Sequence, residues 1–225
     1  MPGAMTFKHI APRLVDKAFH VLVYDIYGRG YSESPKLTPE PTMYAIQLAM
    51  LLQYIGWNKV NVVGYSMGGS IAAAFGAWFP HLIDERIAFL AAAGLMDDPR
   101  FANESQTQTK PPATKFELIS GISDAREFEK LQAGSLPGFA EVVKACMSGP
   151  LRQTGWAYDT LAKTDKKFLI LHGTADQAIP FENAHRIQKI IPQAELLPIE
   201  GASHFFVMEV GAADKVADKL SEFFA

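Results

Sequence analysis

Ser66 stands at the centre of Gly64-Tyr65-Ser66-Met67-Gly68-Gly69, a G-x-S-x-G spacing with one demanding chemical use. A serine on a sharp strand-to-helix turn is forced into a strained backbone conformation, and small neighbours let its hydroxyl stand clear of the sheet. The pattern alone arises by chance in roughly one in thirteen chains of this length, so its flanks decide. The β-branched run over residues 60–63 precedes it and a helical run over residues 70–79 follows. Gly64 and Gly68 are the small neighbours. The helix start puts the Met67 amide and the positive end of the helix dipole where an oxyanion would develop. The spacing therefore predicts a nucleophile at Ser66 with Met67 as an oxyanion donor.

A serine hydroxyl is a poor nucleophile at neutral pH and needs an imidazole base, itself oriented by a carboxylate. Two later segments offer both. Leu171-His172-Gly173-Thr174-Ala175-Asp176 is a strand end opening into a loop with an acid, and Glu200-Gly201-Ala202-Ser203-His204-Phe205 is a strand end opening into a loop with a histidine. Both lie beyond the carboxyl ends of parallel strands, where open α/β sheets place their sites. The chain order is Ser66, Asp176, His204. Among the other histidines, His9, His81 and His185 read as helix or helix-end surface residues, His20 begins a strand and His172 ends one. The rival acids are Asp97 and Asp98, after the third strand, and Asp176 ranks above them because the acid in this order closely precedes the histidine. Asp25, before Gly28-Arg29-Gly30, reads as a structural acid of the turn. His172 and Asp176 have an i, i+4 metal-like spacing, but a glycine interrupts them and no third ligand clusters nearby, so no metal is expected.

Five short strands must carry these loops: residues 20–25 (HVLVYD), 60–64 (VNVVG), 87–91 (IAFLA), 167–172 (KFLILH) and 195–200 (ELLPIE). Helical patterns lie between them. Tyr44, Leu48, Leu51, Leu52 and Ile55 share one face, and a C-terminal helix is expected over residues 212–224. Strands alternating with helices predict an α/β fold, a mostly parallel sheet covered on both faces. The alternation breaks over residues 96–164, where Pro99, Pro111, Pro112, Pro137 and Pro150 punctuate short amphipathic pieces. This stretch reads as a helical cap inserted into a core of residues 1–95 and 165–225. Phe101, Phe116, Phe128, Phe139, Trp156 and Tyr158 would form the cap's own small core or face a pocket, and Trp156, Ile179 and Phe205 are the candidate pocket residues.

Composition narrows the function classes. With 48% apolar residues the 225-residue chain can build a full core, which excludes disorder. Twenty-one basic against 24 acidic side chains give a net charge of −3 with no basic block, so nucleic acid is not an expected partner. The longest apolar runs, residues 71–79 and 87–96, reach about half of the roughly 18 residues of a membrane span. A single cysteine, Cys146, excludes an internal disulfide and cysteine-rich zinc sites. The first ten residues lack a signal-peptide pattern, which makes the cytoplasm the default compartment.

Taken together, the elbow at Ser66, the acid segment at 172–176, the histidine segment at 200–204 and the turn Tyr24-Asp25-Ile26-Tyr27-Gly28-Arg29-Gly30-Tyr31-Ser32 resemble the α/β-hydrolase fold family over nearly the whole chain outside the cap. The resemblance implies Ser66 as nucleophile, His204 as general base and acid, Asp176 as its orienting partner, and no cofactor. Within the family the elbow and the short cap look most similar to monoacylglycerol-lipase-like and carboxylesterase-like members. The cap's aromatics with Ile179 and Phe205 point to a small-molecule ester of an apolar acyl group as substrate, cleaved through an acyl-enzyme intermediate. C–C hydrolases of meta-cleavage products and haloperoxidase-like members share much of this signature. Family members usually begin with two antiparallel strands and a third ending in a His-Gly-x-Pro-Gly type loop that gives an oxyanion amide. Met1-Pro2-Gly3-Ala4 looks like the tail of that loop, which implies Met1 as the second donor. The family's strand order further implies a gap between residues 20–25 and 60–64 unless those strands close up. A non-catalytic binding module is the reading of another class.

Overall fold

A computed structural model describes residues 3–34, 38–96, 142, 144, 146 and 149–225. Four parallel strands, β1 (Val60–Tyr65), β2 (Ile83–Leu90), β3 (Lys167–Gly173) and β4 (Glu195–Ile199), form a sheet in that order. The registers pair Gly64 with Phe89, Phe89 with Ile170 and Ile170 with Leu196. The helices α1 (Ile10–Asp16), α2 (Pro41–Ile55), α3 (Met67–Trp78), α4 (Gly155–Leu161), α5 (Glu182–Ile190) and α6 (Val210–Phe224) flank the sheet.

The period of two in the strands sorts their side chains into two cores. Ile87 and Phe89 of β2 and Phe168 and Ile170 of β3 face α2, α3, α4 and α5, packing with Leu48, Leu52, Phe75, Tyr158 and Ile187. Ala88, Leu90, Leu169 and Leu171 face the other way, onto Ile10 and Leu14 of α1 and Val216 and Leu220 of α6. Residues such as Phe89, Ile170 and Leu220 are fully buried. Each contributes roughly 1.5–3 kcal/mol relative to exposure. On α2 the expected face is the buried one at Tyr44, Leu48 and Leu52, and the helix starts on Pro41 and stops at Gly56, whose φ of 76° closes the C-terminus. The small residues of α3 serve close approach, since a side chain at Gly69 would lie 2.3 Å from the Ala92 Cβ.

The strand β2 begins four residues before the expected position 87. Its first turn of chain, Asp84-Glu85-Arg86, is polar because this end is partly exposed, and the Asn61 side chain accepts the Glu85 and Arg86 amides at 3.2 and 2.8 Å. The largest departure is at residues 20–25, which belong to no ladder among the described residues. Their side chains still alternate, with Leu22 and Tyr24 in the first core and Phe19 and Val21 in the second. They do not close onto β1. A groove of about 610 Å³ separates the two, lined by Val21, Leu22, Tyr24, Val60, Val62 and Phe224 among others.

Of the expected cap, residues 97–141 lie outside the described residues, and with them Phe101, Phe116, Phe128 and Phe139. Its end is described and joins the first core: the Tyr158 ring meets Phe89 edge-on at 5.3 Å and its hydroxyl donates to the Ala93 carbonyl at 2.7 Å. None of the described helices is long and apolar enough to cross a membrane.

Candidate active site

Ser66 sits between β1 and α3 with φ 54° and ψ −120°, one of three non-glycine residues at positive φ among the described residues. Such a conformation costs about 1–3 kcal/mol and persists only where the surroundings enforce it. They do so through the backbone: the Ser66 amide donates to the Leu90 carbonyl and its carbonyl accepts the Gly69 and Ala93 amides, all at 2.9 Å. Gly64 is required, because a Cβ there would lie 2.3 Å from the Gly68 carbonyl oxygen. Gly68 is not required on the same ground, since a side chain at that position meets nothing within 4 Å. The tight second neighbour is Gly69 against Ala92. Met67 is the first residue of α3, so its amide has no partner within the helix and faces the start of the dipole.

Asp176 and His204 converge on this turn from the loops after β3 and β4. The Ser66 Oγ lies 2.9 Å from His204 Nε2, and His204 Nδ1 lies 2.7 Å from Asp176 Oδ2. All three residues are buried. Asp176 Oδ2 can only accept, so Nδ1 carries the hydrogen and Nε2 is left to accept from the serine hydroxyl. The other carboxylate oxygen, Oδ1, accepts the Ala178 and Ile179 amides, each at 2.8 Å. Burial alone would raise the Asp176 pKa. Hydrogen bonds from His172 and His204, the charge of His204 and the Ile179 amide outweigh it and hold the carboxyl down at about 2. Tyr65 supports the histidine from below: its hydroxyl donates to the His204 carbonyl at 2.9 Å and its ring lies 5.3 Å from the imidazole. Burial first, then Asp176 and Glu209, pushes that hydroxyl's pKa well above the phenolic range, so it remains a donor.

The other candidates are distributed as follows. Phe205 packs edge-on against the His204 ring at 5.5 Å. Ile179 is buried and serves the acid loop through its backbone. Trp156 is 40% exposed and packs 4.7 Å from Trp78, at the far end of α3 from Ser66. Met1, Asp97 and Asp98 lie outside the described residues. Asp25 accepts the Ala4 and Tyr31 amides at 2.7 and 3.1 Å and ties the turn together. The sequence pattern alone gives no role here to Tyr65, to the Ala178 amide or to His172. His172 is fully buried with Nε2 3.3 Å from Asp176 Oδ2, and its i, i+4 spacing to the acid was the available signal. Among the described residues no three metal-ligating side chains cluster.

The model of the alpha/beta hydrolase family matches residues 2–219. The chain belongs to that family. Curated relatives of this α/β hydrolase include the 2-hydroxy-6-oxo-2,4-heptadienoate hydrolase of Pseudomonas putida, 25% identical over 84% of this chain and 73% of that protein. Lipase 1 of Psychrobacter immobilis is also 25% identical, over 96% of this chain and 72% of its own length. Among solved structures, a thermophilic esterase of Thermogutta terrifontis superposes with a TM-score of 0.74 at 24% identity, over 99% of this chain and 85% of that one. The meta-cleavage product hydrolase of Pseudomonas fluorescens gives 0.73 at 18%, over 100% and 86%. These two share the fold of the present hydrolase.

Proposed function

We propose that this hydrolase cleaves a carboxylic ester of an apolar acyl group through an acyl-enzyme intermediate. The unbroken hydrogen-bond chain from Ser66 through His204 to Asp176 carries the reading. His204 Nε2 takes the Ser66 proton as Oγ attacks the ester carbonyl. The resulting oxyanion meets the Met67 amide, where a preorganised donor is worth on the order of 100- to 1000-fold in turnover. The imidazolium, held by Asp176, then protonates the departing alcohol. Water deprotonated by the same imidazole attacks the acyl-serine, and the returning proton frees Ser66. No cofactor enters these steps.

The apolar preference rests on the surroundings of the elbow. Ile71, Tyr44, Val142 and Leu151 form a buried cluster with Met67 at its edge, and Phe205 flanks the imidazole. Residues 96–164, taken as a cap over the core of residues 1–95 and 165–225, would complete the pocket, with Met1 as a second oxyanion donor. A fluorophosphonate probe is expected to label Ser66 and to lose that label in Ser66→Ala. An unlabelled, folded wild type would remove the nucleophile. The relationship to the heptadienoate hydrolase supports a second reading, C–C hydrolysis of a vinylogous diketone. Short esters assayed against dienoate substrates separate the two.

A further inference from the structure

His172 is the last side chain of β3 to face the first core, and it is the one imidazole of the described residues that is wholly buried. Its Nε2 lies 2.8 Å from the Ile179 carbonyl oxygen and 3.3 Å from Asp176 Oδ2. A carbonyl oxygen accepts and never donates, so the hydrogen is on Nε2. Nδ1 is buried and has no hydrogen-bond partner among the described residues. The Nε2–H is thereby aimed at the Ile179 carbonyl, with Asp176 Oδ2 as a longer second contact at the near end of the acid loop.

This geometry has two effects on Asp176. The His172 ring spans from the strand end to Ile179, beyond the acid, and closes the loop of residues 173–178 like a clasp. It also sets a second imidazole nitrogen 3.3 Å from Oδ2, besides His204, whose Nδ1 lies 2.7 Å away. We propose that His172 is a positioning residue for the acid of this hydrolase: its shared Nε2–H locks the Asp176 carboxylate toward His204 and limits how strongly that carboxylate holds the imidazolium. The proposal rests on the reading of Ser66, His204 and Asp176 given above. It also explains why a histidine stands where the strand pattern calls for an apolar side chain. A phenyl ring fills the same space, but it leaves the Ile179 carbonyl and one face of Oδ2 without their donor.

The ionisable groups around the pair are few. Phe181 stands edge-on to His172 at 5.9 Å and separates it from His185, whose ring lies 4.9 Å beyond. Tyr65 lies against His204, and Glu209 reaches the same loop through the Ser203 hydroxyl at 3.1 Å. None of these can donate to Oδ2 in place of His172, since His185 is screened, Glu209 is an acceptor and the Tyr65 hydroxyl is spent on the His204 carbonyl.

Two substitutions in the full chain test the assignment. His172→Phe keeps an aromatic ring and removes the donor, while His172→Gln carries an amide N–H the same number of bonds from the backbone. In His172→Phe, kcat toward a short ester should fall by about 10- to 100-fold, the size of one hydrogen bond to a charged group, with KM within about 3-fold. The acid limb of its kcat/KM profile should move up by roughly 0.5 to 1 pH unit, because the less-shared carboxylate holds the imidazolium more tightly. His172→Gln should recover most of the turnover and return the limb. Loss of packing alone would lower the melting temperature without moving the limb. A wild type that fluorophosphonate does not label overturns the nucleophile reading itself. A wild type that labels and turns over, beside a folded His172→Phe with the same kcat and the same limb, overturns the role of His172 alone. So does a His172→Gln no better than His172→Phe. Where His172→Phe does not fold, ¹⁵N-histidine spectra of the wild type decide: a slowly exchanging Nε2–H with a bare Nδ1 is expected for His172, and an Nδ1-protonated or doubly protonated ring overturns the assignment.

Discussion

Asp176 takes amide donors on Oδ1 and imidazole donors on Oδ2, and the two sides govern different observables. The Oδ2 side sets the tautomer of His204. Asp176→Asn presents an amide N–H there as readily as a carbonyl, which favours the imidazole with its hydrogen on Nε2. Turnover should then drop on the order of 10⁴-fold with KM little changed, measured on a short ester. A small loss in this variant beside a large one in Asp98→Asn would give the role to the acid after β2. Activity should rise with pH along a single limb, because only the neutral imidazole can take the serine proton. Stability responds in a different window. The carboxyl is held at about 2 in the folded chain, below its unfolded value of about 3.9, so its contribution is fully present above about pH 4 and is lost as pH falls through 2. That contribution is roughly 2–3 kcal/mol. Urea midpoints of the wild type should therefore fall more steeply than those of Asp176→Asn between pH 4 and 2.

At the level of elements, backbone contacts that no side-chain pattern announces hold the elbow in shape. Gly64→Ala would drive a Cβ to 2.3 Å from the Gly68 carbonyl and 2.8 Å from the Ala72 side chain, and neither backbone nor helix can yield there. Overpacking of this kind costs about 1–3 kcal/mol, so a lowered melting temperature together with lost fluorophosphonate labelling is expected. Gly68→Ala, with open space around it, should keep its melting temperature within a degree or so of wild type. The contrast marks what the sequence makes legible. The strands β1, β3 and β4 and the order Ser66, Asp176, His204 were readable because apolar runs and post-strand loops are local signals. The start of β2 was hidden because Asp84-Glu85-Arg86 is polar where the sheet meets solvent. The role of His172 was hidden because it depends on a tautomer fixed by the carbonyl of Ile179, seven residues on. Residues 20–25 read as a strand because they carry a strand's alternation, and their side chains do sort into both cores. What they lack is a ladder, which periodicity does not encode.

The missing ladder shapes the whole molecule. Among the described residues β1 is hydrogen-bonded to a strand on one side only, and its other side faces the groove of about 610 Å³ along residues 20–24. The orientation of its amides follows from one bond. The Ser66 amide donates to Leu90 of β2, and amides alternate sides along a strand, so those of Val62 and Gly64 also face β2 while that of Val63 faces the groove. In β2, by contrast, both sides are covered by β1 and β3. Hydrogen exchange followed by NMR should therefore show a two-residue alternation in β1, with Val63 exchanging orders of magnitude faster than Val62 and Gly64, and uniform slow exchange from Ile87 to Leu90. An unpaired edge lined with valines is also a template for intermolecular pairing. Dilution separates the two states of that edge. If Val63 is as protected as its neighbours at high concentration and loses protection on dilution, with a sedimentation coefficient that falls in step, a second copy covers the edge. If Val63 stays protected at every concentration, residues 20–25 pair with β1 in solution and the groove is closed.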